Sequence, residues 1–264
     1  MSAMLGEDFT GGFFRQGFRG WSPASFGMSL LVFAGLGIGY IVVQSILTVI
    51  IQVAVFRAEA GDTETLALSA IVSLVPMAIV MIPVSWKAAQ LQGGDPREVL
   101  NLRWPRFTMF GWIALIAGFL TGILVLFAIL LAIIGAFGVE PPGGGLVEQT
   151  VSGIAGQSHV VALVVPALIF GAPVAEELLF RGQIYTALSQ TRAGFSGATI
   201  LTSAAWAALH YTGNFMQVAL IFVLGLVLGW LLYRFGSLFV TIACHAAWNG
   251  IVSMALLGAG GPGT

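Results

Sequence analysis

Seven apolar stretches dominate this chain, at roughly 29–56, 65–86, 107–138, 159–180, 195–210, 215–234 and 238–258. A helix needs about 20 mostly apolar residues to cross a bilayer. The stretches therefore predict an all-α fold, a polytopic transmembrane helical bundle of about seven or eight spans. As a helix, 107–138 is about 48 Å long, so it must tilt or protrude. The stretch 195–210 is short. Pro166 and Pro173 interrupt 159–180, and either can kink or restart a helix there. If that region is two helices, the count becomes eight.

Composition supports the same class. Of 264 residues, 58% are hydrophobic and 8% charged, whereas soluble domains are about a quarter charged. So few charges cannot cover a water-soluble surface of this size. A net charge of −1 argues against nucleic acid as a partner, which would need a basic patch. The one cysteine, Cys244, excludes an internal disulfide framework. The chain reads as a single integral membrane domain, 1–264, with a motif-bearing core at about 159–258. Its first apolar stretch is too long for the core of a signal peptide and lacks an A-x-A exit, so it reads as a retained span.

Lysines and arginines of short loops face the cytoplasm. Arg15 and Arg19 precede the first span, and Lys87, Arg97, Arg103 and Arg106 lie between the second and third. In a seven-span count Arg192 and Arg234 join them, leaving Arg57 opposite. The loop "GVEPPGGGLVEQT" has no Lys or Arg and falls on the side of Arg57. This predicts a cytoplasmic N-terminus, with the C-terminus outside if the count is odd. The N-terminal "FTGGFFRQGFRGW" alternates aromatics with arginines and reads as a membrane-surface anchor. The pairs Gly35/Gly39, Gly118/Gly122 and Gly225/Gly229 have the spacing that lets membrane helices approach closely. No internal repeat suggests a transporter built of two halves.

Against this background "VAEELLFRGQIY", residues 174–185, stands out. Glu176, Glu177 and Arg181, if deep and unpaired, would together cost on the order of 7–10 kcal/mol. They must be paired, hydrated or near the interface. Glu177 and Arg181 are four apart with the acid first, the better orientation for a helix ion pair. A helix starting at Pro173 would put both carboxylates near its positive end. Glu176 lies about 100° around the helix from Glu177, so one acid can be held while the other stays free. Taken alone, the pair could simply end and anchor a span.

Three further residues sit in apolar company: His210 at the end of "AAWAALH", and His245 and Asn249, four apart, in "HAAWN". A single buried His or Asn ordinarily just bonds to a neighbouring helix. Together with the acids, on three separate segments, they predict one shared polar cavity. Cys244 adjoins His245, but residues one apart do not face each other, so it reads as a buried structural thiol. His159 reads as an interfacial residue.

The ordered set E-E-x-x-x-R, aromatic-x-x-x-H and H-x-x-x-N resembles the CPBP family. These are CAAX-protease and bacteriocin-processing intramembrane enzymes, related to the CAAX prenyl endopeptidases. The motifs are Glu176-Glu177-Leu178-Leu179-Phe180-Arg181, Trp206-Ala207-Ala208-Leu209-His210 and His245-Ala246-Ala247-Trp248-Asn249. The resemblance covers roughly 170–255. Trp206 departs from it, since the family commonly has Phe there. It implies catalytic residues Glu176, Glu177, Arg181, His210, His245 and Asn249. Glu176 would be the base, with His210 helping to position water. His245 and Asn249 would be oxyanion donors, with Glu177 and Arg181 supporting them. It implies integral residence in a membrane such as the bacterial inner (cell) membrane. No cofactor is implied. Two His with two Glu have the chemistry to bind zinc, but H-E-x-x-H is absent.

The leading expectation is an intramembrane glutamate-type endopeptidase acting on a membrane-associated or lipidated protein or peptide, near the cytoplasmic half of the bilayer. Membrane lipids and that substrate are its expected partners, and a partner membrane complex is an open question. The alternative is a non-enzymatic membrane protein, an immunity or assembly factor or a proton pathway. A proton relay would string ionisable groups through the membrane. Here they cluster late in the chain, and the first three spans hold no acid or histidine.

Overall fold

A computed structural model describes residues 2–9, 14–21, 26–59, 62–138, 146–211 and 215–259. Most of the loop 138–150 falls outside them. The described residues form helices α1 (Ser2–Leu5), α2 (Phe26–Ala54), α3 (Thr63–Val72), α4 (Leu74–Leu91), α5 (Pro96–Val99), α6 (Met109–Ala136) and α7 (Leu146–Gly153). After these come α8 (Ser158–Pro166), α9 (Ala172–Glu177), α10 (Thr186–Ser189), α11 (Gly194–Leu209), α12 (Phe215–Phe235) and α13 (Leu238–Ala259). Among the described residues the β-type pairing is one isolated bridge, Gly6 with Phe107.

Six helical segments are long and apolar enough to cross a membrane, and Gly194–Leu209 is a shorter apolar helix. Each expected span has its counterpart, so the chain is a polytopic helical bundle and an integral membrane protein. Its outer faces agree: Ile38, Ile41, Val42, Ile46 and Ile50 of α2 and Ile113, Val125, Ile129 and Ile133 of α6 are all exposed. Water would not tolerate so much contiguous apolar surface, but lipid does.

Ser158–Ser189 is one span of 32 residues rather than two. α8 ends at Pro166, and π-helical turns at Ala167–Gly171 and Leu178–Tyr185 flank α9. A π turn absorbs an extra residue, and with it the hydrogen bond that a proline removes, without breaking the helix. This corrects the expected helix start at Pro173. Glu176 and Glu177 lie near the middle of a continuous span, so no positive helix end serves them.

This span is the axis of the bundle. Leu178, Leu179, Phe180 and Ile184 are buried in one apolar core with Met77 and Met81 of α4, Trp206 of α11, Leu228 of α12 and Cys244 of α13. Polar residues tie the helices where the core leaves them no water. Gln183 donates to Ser85 O at 2.7 Å and accepts from Gln92 at 2.9 Å, joining α4 to the axis. Gln44 of α2 donates to Ser73 Oγ at 2.7 Å, at the break between α3 and α4. Loop 101–103 holds the start of α13: Leu238 N–H donates to Asn101 O at 2.9 Å, and Ser237 Oγ to Arg103 O at 2.6 Å.

Two sequence readings change here. Phe18 is buried, edge-on to Tyr185 and Phe195, while Gly17 and Phe18 N–H donate to Tyr233 O. Residues 17 and 18 are thus docked on the end of α12, while Phe14, Arg15 and Arg19 of the same segment are exposed. Gly236, at φ +59°, has the Gly17 backbone against it, leaving no room for a side chain. Of the glycine pairs, Gly225 and Gly229 pack on Ser203 and Thr199 of α11, whereas Gly35, Gly39, Gly118 and Gly122 face open space.

Candidate active site

α9 and the following π turn carry Glu176, Glu177 and Arg181, and all three are buried. Arg181 Nη1 lies 2.9 Å from Glu177 Oε1, and Nη2 donates to Gly225 O at 3.3 Å. The expected ion pair is therefore present and wholly shielded from solvent. Its charges are offset by each other and by α12's carbonyl, which a buried pair requires.

From α13, His245 Nδ1 donates to the same Glu177 Oε1 at 3.1 Å. From the end of α11, His210 Nδ1 donates to Trp206 O at 2.8 Å. A carboxylate and a carbonyl can only accept, so both rings carry their proton on Nδ1 when neutral. Both Nε2 atoms then turn toward Glu176, each 4.0 Å from its Oε2. Asn249, one turn beyond His245, donates through Nδ2 to Leu168 O at 2.8 Å, which leaves its second amide hydrogen for another acceptor.

Trp206 is the residue that the sequence reading undervalued. Its Nε1–H donates to Glu176 Oε2 at 2.5 Å. The Arg181 guanidinium sits 4.6 Å from the centre of its ring, and His210 and His245 lie edge-on at 5.1 and 5.2 Å. One indole thus touches four of the six expected residues. Its position four before His210 was visible in the sequence, but its contact with Glu176 across 30 residues was not. Tyr40, buried on α2 within electrostatic reach of Glu176, was also unforeseen.

Glu176, Trp206, His210, His245 and Asn249 line one cavity of about 390 Å³, whose other walls include Phe127, Leu224 and Trp248. Glu177 and Arg181 stand behind it. His159 is exposed at the start of α8 and Cys244 is buried. Among the described residues no three His, Cys, Asp or Glu side chains are placed to hold an ion. The nearest approach to such a set is Glu176 with the two histidines, and there Trp206 already occupies Oε2.

Residues 158–251 match the family model of the type II CAAX prenyl endopeptidases, described as Rce1-like. Over this segment the chain is similar to the CAAX protease family. The match contains all six motif residues and every wall of the cavity that bears one. CAAX proteases are peptidases, which makes a membrane peptidase the coarse reading of the chain. No curated protein and no solved structure matches it.

Proposed function

We propose that this protein is an intramembrane glutamate-type endopeptidase that hydrolyses a peptide bond of a membrane-associated or lipidated protein or peptide. One observation carries the reading. A buried carboxylate and two imidazole Nε2 atoms face each other at 4.0 Å across a cavity in an otherwise apolar bundle. The separation suits a bridging water within hydrogen-bond reach of Glu176 and His210.

In this mechanism the water oxygen attacks the scissile carbonyl carbon while Glu176 takes its proton. His210, fixed by Trp206 O, accepts the second water hydrogen and aims the lone pair. The carbonyl oxygen becomes an oxyanion and receives hydrogen bonds from His245 Nε2–H and the second hydrogen of Asn249. Because His245 already spends Nδ1–H on Glu177, it donates from Nε2 only as the imidazolium. The Glu177 carboxylate supplies the compensating charge. The carbon–nitrogen bond then breaks, and Glu176 returns its proton to the leaving amine.

The test is comparative peptidomics of membranes containing the wild-type protein or Glu176→Gln. The expected result is a cleavage product that vanishes in the variant while its thermal stability in detergent is kept. Loss of a general base typically slows hydrolysis by about 10²–10⁴-fold. A Glu176→Gln protein that still yields the product would overturn the mechanism.

A further inference from the structure

A second cavity, of about 600 Å³, lies where α12 gives way to α13. Arg15, Arg19, Arg103, Arg106 and Arg234 line it, with Asp8 as the carboxylate in the lining. Glu7 and Glu98 stand beside it, the first paired with Arg106 and the second acting on Arg103. Positive charge is still in excess. Arg19 repels Arg103, and Arg15 repels Arg234. Burial first, then Arg19, pulls Arg103 below the ordinary guanidinium value. Arg234 is 6% exposed, and the Asp8 carboxylate in the same lining offsets part of its charge. Its guanidinium rests over Phe235 at 4.9 Å. Arg15, Arg19 and Arg106 are exposed, whereas Arg103 is half-buried and Arg234 buried, so an anion joining the cluster would offset chiefly those two less solvated charges.

An apolar groove of about 800 Å³ meets this cavity, and Arg234 and Phe235 line both. It runs between α6 and α12, past Leu115, Gly118, Gly122, Val227 and Trp230. A side chain added at Gly118 or Gly122 would meet nothing within 4 Å. From Ala114 to Leu126 the groove follows α6 for about 18 Å. That is close to one leaflet's share, about 15 Å, of the hydrocarbon core.

We propose that the two cavities together seat one anionic phospholipid, with its phosphate on the arginines and an acyl chain in the groove. Guanidinium forks match phosphate oxygens two at a time. Inorganic phosphate would satisfy the arginines and leave the groove unused. A zwitterionic lipid would bring its own cation into a positive field. The inference is independent of the peptidase reading, because it concerns the opposite end of α12 and α13 from the Glu176 cavity and its readout is binding.

The experiment uses the full chain in neutral detergent, mixed with phosphatidylglycerol or phosphatidylcholine. Native mass spectrometry counts retained lipid, and thermal melts with and without inorganic phosphate run in parallel. Phosphatidylglycerol should be preferred about tenfold. The Arg19→Gln/Arg103→Gln double variant should lose that preference, and Gly122→Phe, which fills the groove, should weaken retention of either lipid. Equal retention of the two lipids, or a double variant that binds like wild type, would overturn the proposal. So would inorganic phosphate stabilising the protein as much as phosphatidylglycerol does while Gly122→Phe changes nothing.

Discussion

Trp206 is where a single side chain decides the most. A phenylalanine there would keep the ring over Arg181 and against both histidines, but it would leave Glu176 Oε2 without its donor. Trp206→Phe should therefore fold normally and lose roughly tenfold or more in kcat with KM little changed, the scale of one hydrogen bond to a charged group. Steady-state kinetics on the product found by peptidomics would check this, and wild-type kcat would reduce Trp206 to a packing residue. Glu177 acts differently. Glu177→Gln strands Arg181, which is fully buried, and should cost about 3–5 kcal/mol of stability as well as activity. A thermal melt in detergent separates that from Glu176→Gln, which removes no buried counter-charge. Asn249→Ala and His245→Ala should each raise the barrier by about 2.7–4 kcal/mol through lost oxyanion donors.

Among the elements, the α11–α12 contact carries the greatest constraint. Gly225 and Gly229 lie directly on Ser203 and Thr199, and the Gly225 carbonyl also receives Arg181. Gly229→Leu should push the helices apart and cost about 1–3 kcal/mol, the usual scale of overpacking. Gly39→Leu, which meets open space, should leave the melting temperature unchanged. Equal melting temperatures for the two variants would show that the α11–α12 contact is looser than drawn. Sequence spacing marked all three glycine pairs alike, since it cannot show which helix face meets a neighbour and which meets lipid.

For the whole molecule, the predictions concern sidedness and metal. The contacts of loop 101–103 with Ser237 and Leu238 put Arg103, Arg106 and Arg234 on one face, with Arg15 and Arg19 in the same cavity. By the bias of basic loops that face should be cytoplasmic. Cysteines placed in 92–106 should resist a membrane-impermeant thiol reagent added outside intact cells, and labelling there would reverse the assignment. A membrane-permeant chelator should leave turnover intact. Abolition by chelator with rescue by zinc would put the site among metal-dependent hydrolases.

Hydropathy alone determined the all-α bundle and its seven apolar segments, because the bilayer imposes a length and a polarity that can be read residue by residue. The motif residues were legible for a related reason: acids, histidines and an amide are conspicuous in apolar runs. The Glu177–Arg181 pair was legible because i,i+4 geometry is local. The continuity of 158–189 through two prolines was not. It depends on π turns held by neighbouring helices, and so no helix end lies beneath the glutamates. Nor could the sequence show that Trp206 grips Glu176, that Glu177 fixes the His245 proton, or that five arginines from three separate stretches share one cavity. Those contacts join residues tens to hundreds of positions apart, and only packing of the whole chain brings them within reach.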